Sequence, residues 1–167
     1  TQNGRFKLGM IEYKLPVNEY PNHLHGGSLG FGKKNWDLEF DSQNCAVQLH
    51  RVSAHLEQGY PGVVDVTVIV RLHKNTVTYE MSAIPDRPTP INLAQHNYYN
   101  LMGKGNIWGH YFESVAKSYT PVNEMLIPTG SISDLEVYGM KTSHGQWDLS
   151  SPKTLAQLDP EGVGIDM

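Results

Sequence analysis

A chain of 167 residues is long enough for one domain with a buried core, and a single β domain over 1–167 is the expectation. Its 39% apolar and 18% charged content is that of a globular chain, and no apolar run reaches the length of a membrane span. A formal charge of -4 argues against nucleic-acid binding, which gains its energy from a basic surface.

Period-2 patterning dominates the chain from its start. "RFKL" and "IEYKL" flank Gly9-Met10 and predict a hairpin. Trp36, Leu38 and Phe40 alternate with polar residues, then "DSQN" turns the chain into "CAVQLHRV". In "VVDVTVIVRL", Val64, Val66, Val68, Val70 and Leu72 share one face, while Asp65, Thr67 and Arg71 share the other. "TVTYEMSA" repeats the device with Val77, Tyr79, Met81 and Ala83 inward, and His73-Lys74-Asn75 joins the two strands. Glycine and proline punctuate the remainder at "GYPG", "PDRPTP" and "IPTG"; "SPKTLAQL" is the best candidate for a short helix. The pattern predicts an all-β, antiparallel sandwich or barrel.

Cys45 is the single cysteine, so no internal disulfide and no oxidising compartment are implied. With no targeting segment visible, a cytoplasmic location is expected. The chain opens on Thr1 rather than methionine and closes on "GVGIDM", as a processed chain or a fragment would.

Four places concentrate polar residues that strand building does not need: "NHLHGGSLGFGKKNW" (Asn22 to Trp36), "NLAQHNYYNLMG" (Asn92 to Gly103), "SYTPVNEMLIPTG" (Ser118 to Gly130) and the final "GVGIDM". His23-Leu24-His25 on a strand would aim both rings one way, as metal ligands can be, but no further ligands stand at a recognisable spacing. The alternative places His23 in solvent and His25 in a hydrogen-bonded loop. Cys45 reads as a small buried hydrophobe rather than a nucleophile. "GFGKKNW" lacks the order of a phosphate-binding loop. Two histidines from distant loops, with Trp36, Tyr98 and Tyr99 to cover a sugar's C–H face, suit acid–base work on a polyhydroxylated ligand. Spacing alone goes no further than a carbohydrate site.

Together and in this order, "NHLHGGSLGFGKKNW", "EQGYPG", "TPINLAQHNYYNL" and "YTPVNEMLIPTGSI" resemble the aldose 1-epimerase (galactose mutarotase) family, over about Phe6 to Asp166. The resemblance implies an antiparallel β-sandwich, often called a supersandwich, here expected to be incomplete. It also implies interconversion of the α and β anomers of free hexoses such as galactose and glucose, with no metal or organic cofactor. His96 would be the general acid on the ring oxygen, and His25 the second pocket histidine, placing the ring. Asp166 would bind sugar hydroxyls, and Asn22 falls in the same pocket segment, where capping of the turn is the competing role. His23 matches no functional position and is expected to be solvated.

The departures from the pattern set a second expectation. Family members are longer, and the segments bearing a substrate-contacting arginine and the general-base glutamate fall outside this chain. Glu113, Glu124, Glu136 and Glu161 lie in the wrong motif contexts to replace that glutamate, and "VYGMKTSHGQWDLSSP" departs from the usual run before the aspartate. A non-catalytic carbohydrate-binding or protein-interaction module on the same scaffold is therefore the alternative. A hexose-6-phosphate mutarotase is a third reading, for which Lys33, Lys34 and Arg87 form no recognisable clamp. Unpaired sheet edges would favour a homodimer; the expected partner is a hexose, without nucleic acid or membrane.

Overall fold

The computed structural model describes residues 1–135, 140–142, 145–147, 149 and 151–162. The chain divides into two compact units, Thr1–His96 and Asn97–Met167.

In the first unit, β1 (Arg5–Leu8) and β2 (Ile11–Lys14) form the expected hairpin, pairing Leu8 with Ile11 across Gly9-Met10. Gly9 sits at φ +60, a left-handed turn position that glycine occupies without steric cost. The main sheet is a four-stranded antiparallel meander of β3 (Asp37–Asp41), β4 (Ala46–Ser53), β5 (Val64–His73) and β6 (Thr76–Pro85). Its register puts Val66 opposite Ala83, Val68 opposite Met81, Val70 opposite Tyr79 and Leu72 opposite Val77, which is the face that the alternation assigns. Val66 is fully buried at the base of this face, with Val64 and Ala46 among the other buried apolar residues of the unit. The polar face carries a cross-strand ion pair, Arg71–Glu80 at 2.8 Å, and a cross-strand hydrogen bond, His50–Asp65 at 3.0 Å.

Turn chemistry explains the joins. His73 pairs with Thr76, so the β5–β6 loop is Lys74-Asn75 alone, with Lys74 left-handed at φ +52. Between β3 and β4 the Asp41 carboxylate accepts from the backbone amides of Gln43 and Asn44 and from the Asn44 side chain. Cys45 follows them in the turn with a left-handed backbone, at φ +46. Cys45 is therefore an exposed turn residue and not the buried strand residue expected from the sequence.

In the second unit, β7 (Tyr111–Phe112) pairs with β12 (Lys153–Thr154), β8 (Ser118–Tyr119) with β9 (Ser133–Asp134), and β10 (Met140–Thr142) with β11 (Gly145–Trp147). All three pairings are antiparallel. The "YTPVNEMLIPTG" loop closes on itself: Asn123 Oδ1 accepts from the amides of Met125 and Ile127, and Thr129 N–H donates to Pro121. The helix α1 (Leu155–Leu158) spans less than "SPKTLAQL" suggests, since Thr154 caps it through a reciprocal bond with Gln157. Leu158 and Leu149 form the buried centre of this unit, packed by Phe112, Tyr119, Leu135 and Leu155. Among the described residues no helix is long and apolar enough to cross a membrane.

Candidate functional site

His25 stands in the loop between β2 and β3, and its backbone is left-handed at φ +51. Gly26 and Gly27 continue the left-handed path at φ +76 and +89, so three successive residues reverse the chain. A side chain is disfavoured in that conformation, and here only His25 carries one. The residue before it is held on both sides of its peptide: Asn18 Oδ1 accepts from Leu24 N–H at 2.9 Å, and Asn18 Nδ2 donates to Leu24 C=O at 3.0 Å. Gly27 N–H returns to Leu24 C=O at 2.9 Å and Gly30 N–H to Gly27 C=O at 3.1 Å, tightening the turn.

His96 lies in the irregular stretch 86–110 that follows β6, at the end of the first unit. Its ring meets the ring of His25 edge to face, with centroids 5.3 Å apart and planes at 85°. Both histidines are exposed, so an incoming ligand can reach them. Two imidazoles, the side-chain type suited to acid–base work, thus share one surface of the first unit.

His23 takes the opposite fate to the one expected. It is 2% exposed, with Nδ1 2.7 Å from the Pro16 carbonyl and its ring edge-on to Tyr60 at 5.5 Å. A carbonyl only accepts, so the ring proton sits on Nδ1, and Nε2 is left buried without a hydrogen-bond partner. Burial pushes the His23 imidazole below its ordinary value, against the bond to Pro16, which acts the other way. The physical reason is local: the turn folds back over the ring, so closely that a Cβ on Gly27 would lie 3.0 Å from His23 Cε1.

Asn22 is buried, and its Oδ1 accepts from Asn3 N–H at 3.0 Å. That bond ties the loop to the start of the chain. Asp166 and Glu136 lie outside the described residues. Among the described residues no three His, Cys, Asp or Glu side chains gather as a metal site would require. Two of the three cations considered for a phosphate clamp are engaged elsewhere: Lys34 bonds Glu57 at 2.9 Å and Arg87 bonds Asp86 at 3.0 Å.

Sequence reasoning does not single out the knot around Glu57. Its carboxylate receives Arg51 Nη2 at 2.9 Å on both oxygens, Ser53 Oγ at 2.6 Å and Lys34 Nζ at 2.9 Å. Burial pushes this carboxyl up, but the bonds from Ser53 and Lys34 and the charges of Arg51 and Lys34 outweigh it, so the net shift is downward. Arg51 lies over the Phe31 ring at 5.4 Å, and Phe31 meets Trp36 edge to face. The far end of the His25 loop is thereby fastened to β4. The only signal for it in the sequence is "EQGYPG" itself, two polar side chains beside a glycine.

Comparison with known proteins places this arrangement in context. The family model for aldose 1-epimerase matches residues 1–153. The chain belongs to the aldose 1-epimerase family. It is 44% identical over 135 residues to the galactose mutarotase of Mus musculus, covering 80% of this chain and 39% of that protein. It is 32% identical over 158 residues to the aldose 1-epimerase of Escherichia coli K12, covering 92% of this chain and 43% of that protein. The chain thus spans about two fifths of the length of the curated relatives it matches. Among solved structures, a GalM/aldose epimerase homologue from C. elegans superposes with a TM-score of 0.81 at 24% identity, over 98% of this chain and 48% of that one. A galactose 1-epimerase from Lactobacillus acidophilus gives 0.78 at 24% identity, over 96% and 46%. The family's all-β antiparallel fold is the one seen here.

Proposed function

We propose that the intact protein interconverts the α and β anomers of free hexoses, galactose and glucose among them, by acid–base ring opening. The observation that carries this reading is the edge-to-face meeting of His25 and His96, brought together from motifs far apart in the chain. In this scheme a base takes the proton of the anomeric hydroxyl while His96 protonates the ring oxygen. The C1–O5 bond breaks to give the open aldehyde, which rotates about C1–C2 and closes on the other face. His25 binds sugar oxygens and sets the ring against His96, and Asp166 grips hydroxyls. Asn22 contributes by tying the His25 loop to the start of the chain through Asn3. The base is not among the residues assigned here, and the scheme uses no metal or organic cofactor. Both units are taken as parts of one sandwich domain.

Polarimetry of freshly dissolved α-D-glucose and α-D-galactose tests the reading on the intact protein. The rate should fall by about 10²–10⁴-fold in His96→Ala, the usual contribution of a general acid. A His96→Ala variant as fast as its parent overturns the assignment of His96. Sugar binding with no anomer exchange in the parent would favour a carbohydrate-binding module without turnover.

A further inference from the structure

The "EQGYPG" stretch is a family motif to which the proposed chemistry gives no task, and its geometry supplies one. We propose that Gln58 is a positioning residue that aims His25 by clamping the turn beyond it; this rests on the reading of His25 as a pocket group. The motif is folded in an unusual way. Leu56 and Gln58 are both left-handed, at φ +62 and +49, and Gly59 follows at φ +88. Left-handed backbone at two residues with side chains persists only where the surroundings over-determine it. Here they do: Leu56 N–H donates to Tyr60 C=O at 2.8 Å, Gly59 N–H to Leu56 C=O at 2.9 Å, and Tyr60 N–H to Glu57 C=O at 3.1 Å. Glu57, next in the chain to Gln58, is fixed by Arg51, Ser53 and Lys34.

This contorted turn delivers the Gln58 carboxamide to the His25 loop. Gln58 Oε1 accepts from Leu29 N–H at 3.3 Å. The same oxygen lies where a Cβ on Gly27 would come within 2.4 Å of it, with the amide carbon at 3.3 Å from that point. The carboxamide therefore rests on the bare Cα of Gly27 and bonds the amide two residues later. Asn18 holds the peptide just before His25, and Gln58 holds the turn just after it. These two clamps hold the left-handed backbone of His25 in the path from which its ring meets that of His96. A residue with no side-chain contact to the ligand would in this way set the geometry of one that has it.

The test uses the intact protein with isotopically labelled histidine, comparing Gln58→Ala and Gln58→Glu with the parent. Glutamate keeps an acceptor oxygen at the same reach, whereas alanine removes it. The His25–His96 ring-proton NOE should weaken several-fold in Gln58→Ala and persist in Gln58→Glu. In polarimetry Gln58→Ala should lower kcat about 10-fold or more with a smaller change in KM, since a misplacement near 1 Å can cost about 10²-fold. Glutamate should restore the rate. If Gln58→Ala merely lowers the melting temperature and leaves the NOE intact, Gln58 is a structural residue and the proposal fails; it fails equally if Gln58→Glu behaves as alanine does. A parent that exchanges no anomers would sink the proposed activity, and the NOE would still decide the role of Gln58.

Discussion

Gly30→Ala puts the tightness of the His25 turn to a direct test. Gly30 has φ -62 and ψ 174, a conformation open to any residue, so a side chain there meets no intrinsic backbone penalty. The penalty comes from space. A Cβ at Gly30 would stand 2.4 Å from the carbonyl oxygen of His25, and 3.2 and 3.3 Å from Gly26 C and O. Ordinary contact begins at 3.4 Å, so the turn must open by about 1 Å at its closest point. The obstructing atoms belong to the backbone and have no rotamer to escape into. Overpacking of this kind costs about 1–3 kcal/mol. Because the first atom struck is the His25 carbonyl, the same shift should move the ring that faces His96.

Gly32→Ala is the matched control. Nothing lies within 4 Å of the point a Cβ would occupy there, and the backbone is not left-handed. Substitution at Gly32 should be neutral or should stabilise by about 0.4–1 kcal/mol through loss of unfolded-chain entropy. Urea denaturation of the intact parent and both variants, with m-values compared, reads the stability difference. Polarimetry reads the displacement of His25, where a shift near 1 Å should slow anomer exchange by up to about 10²-fold. If Gly30→Ala is as stable and as fast as Gly32→Ala, the turn is looser than this geometry requires and the reasoning from it is wrong.

Three further expectations follow from the packing. His23 is held below its ordinary value of 6.5 by burial, so the unfolded chain takes up its proton first; stability should fall as pH drops through and below 6.5, and the urea midpoint should fall more steeply for the parent than for His23→Leu. Equal slopes would show that His23 does not carry the effect. Glu57→Ala leaves Arg51 and Lys34 without their shared carboxylate; with these side chains only 13–25% exposed, chemical denaturation should show a loss of about 2–3 kcal/mol, below the ~3–5 kcal/mol of a fully buried pair. Val66→Ala deletes two buried carbons at about 0.8 kcal/mol each plus a cavity, for about 2 kcal/mol, whereas Val77→Ala on the same face, 49% exposed, should cost well under 1 kcal/mol in the same assay.

The strands are legible in the sequence because their signal is local. Alternation over Val64–Leu72 and Val77–Ala83 names the shared apolar face without reference to any other part of the chain, and the observed register agrees; toward the β5–β6 turn, however, Leu72 and Val77 on that face are exposed rather than inward. Gly9-Met10 and Lys74-Asn75 mark their turns for the same reason. The capping of α1 is also written locally, in Thr154 and Gln157 at capping-box spacing, and it starts the helix later than the upstream proline suggests. Cys45 defeats a local reading because the residues after "DSQN" look like strand, while the Asp41 side chain holds the turn open one residue further. Burial of His23 has no local signal at all. In a loop the face a residue presents follows no period, and what covers His23 is the turn at Gly27 together with Tyr60.

The meeting of His25 and His96 marks the same boundary at the level of the site. Nothing in the spacing of two histidines so far apart brings their rings together; the family motifs point to both, and the fold supplies the distance. What makes that distance possible is conformational. A left-handed residue with a side chain costs about 1–2 kcal/mol, and the chain accepts that cost at His25, while its two followers are glycines that avoid it. It accepts the same cost again at Leu56 and Gln58, in the turn that leans on those glycines. Strain at both contacting turns, with satisfied bonds around each, is what a site held in one geometry requires. The division of labour between neighbouring histidines follows from it. His23 is locked beneath the turn as part of its support, and His25 is projected from its crest.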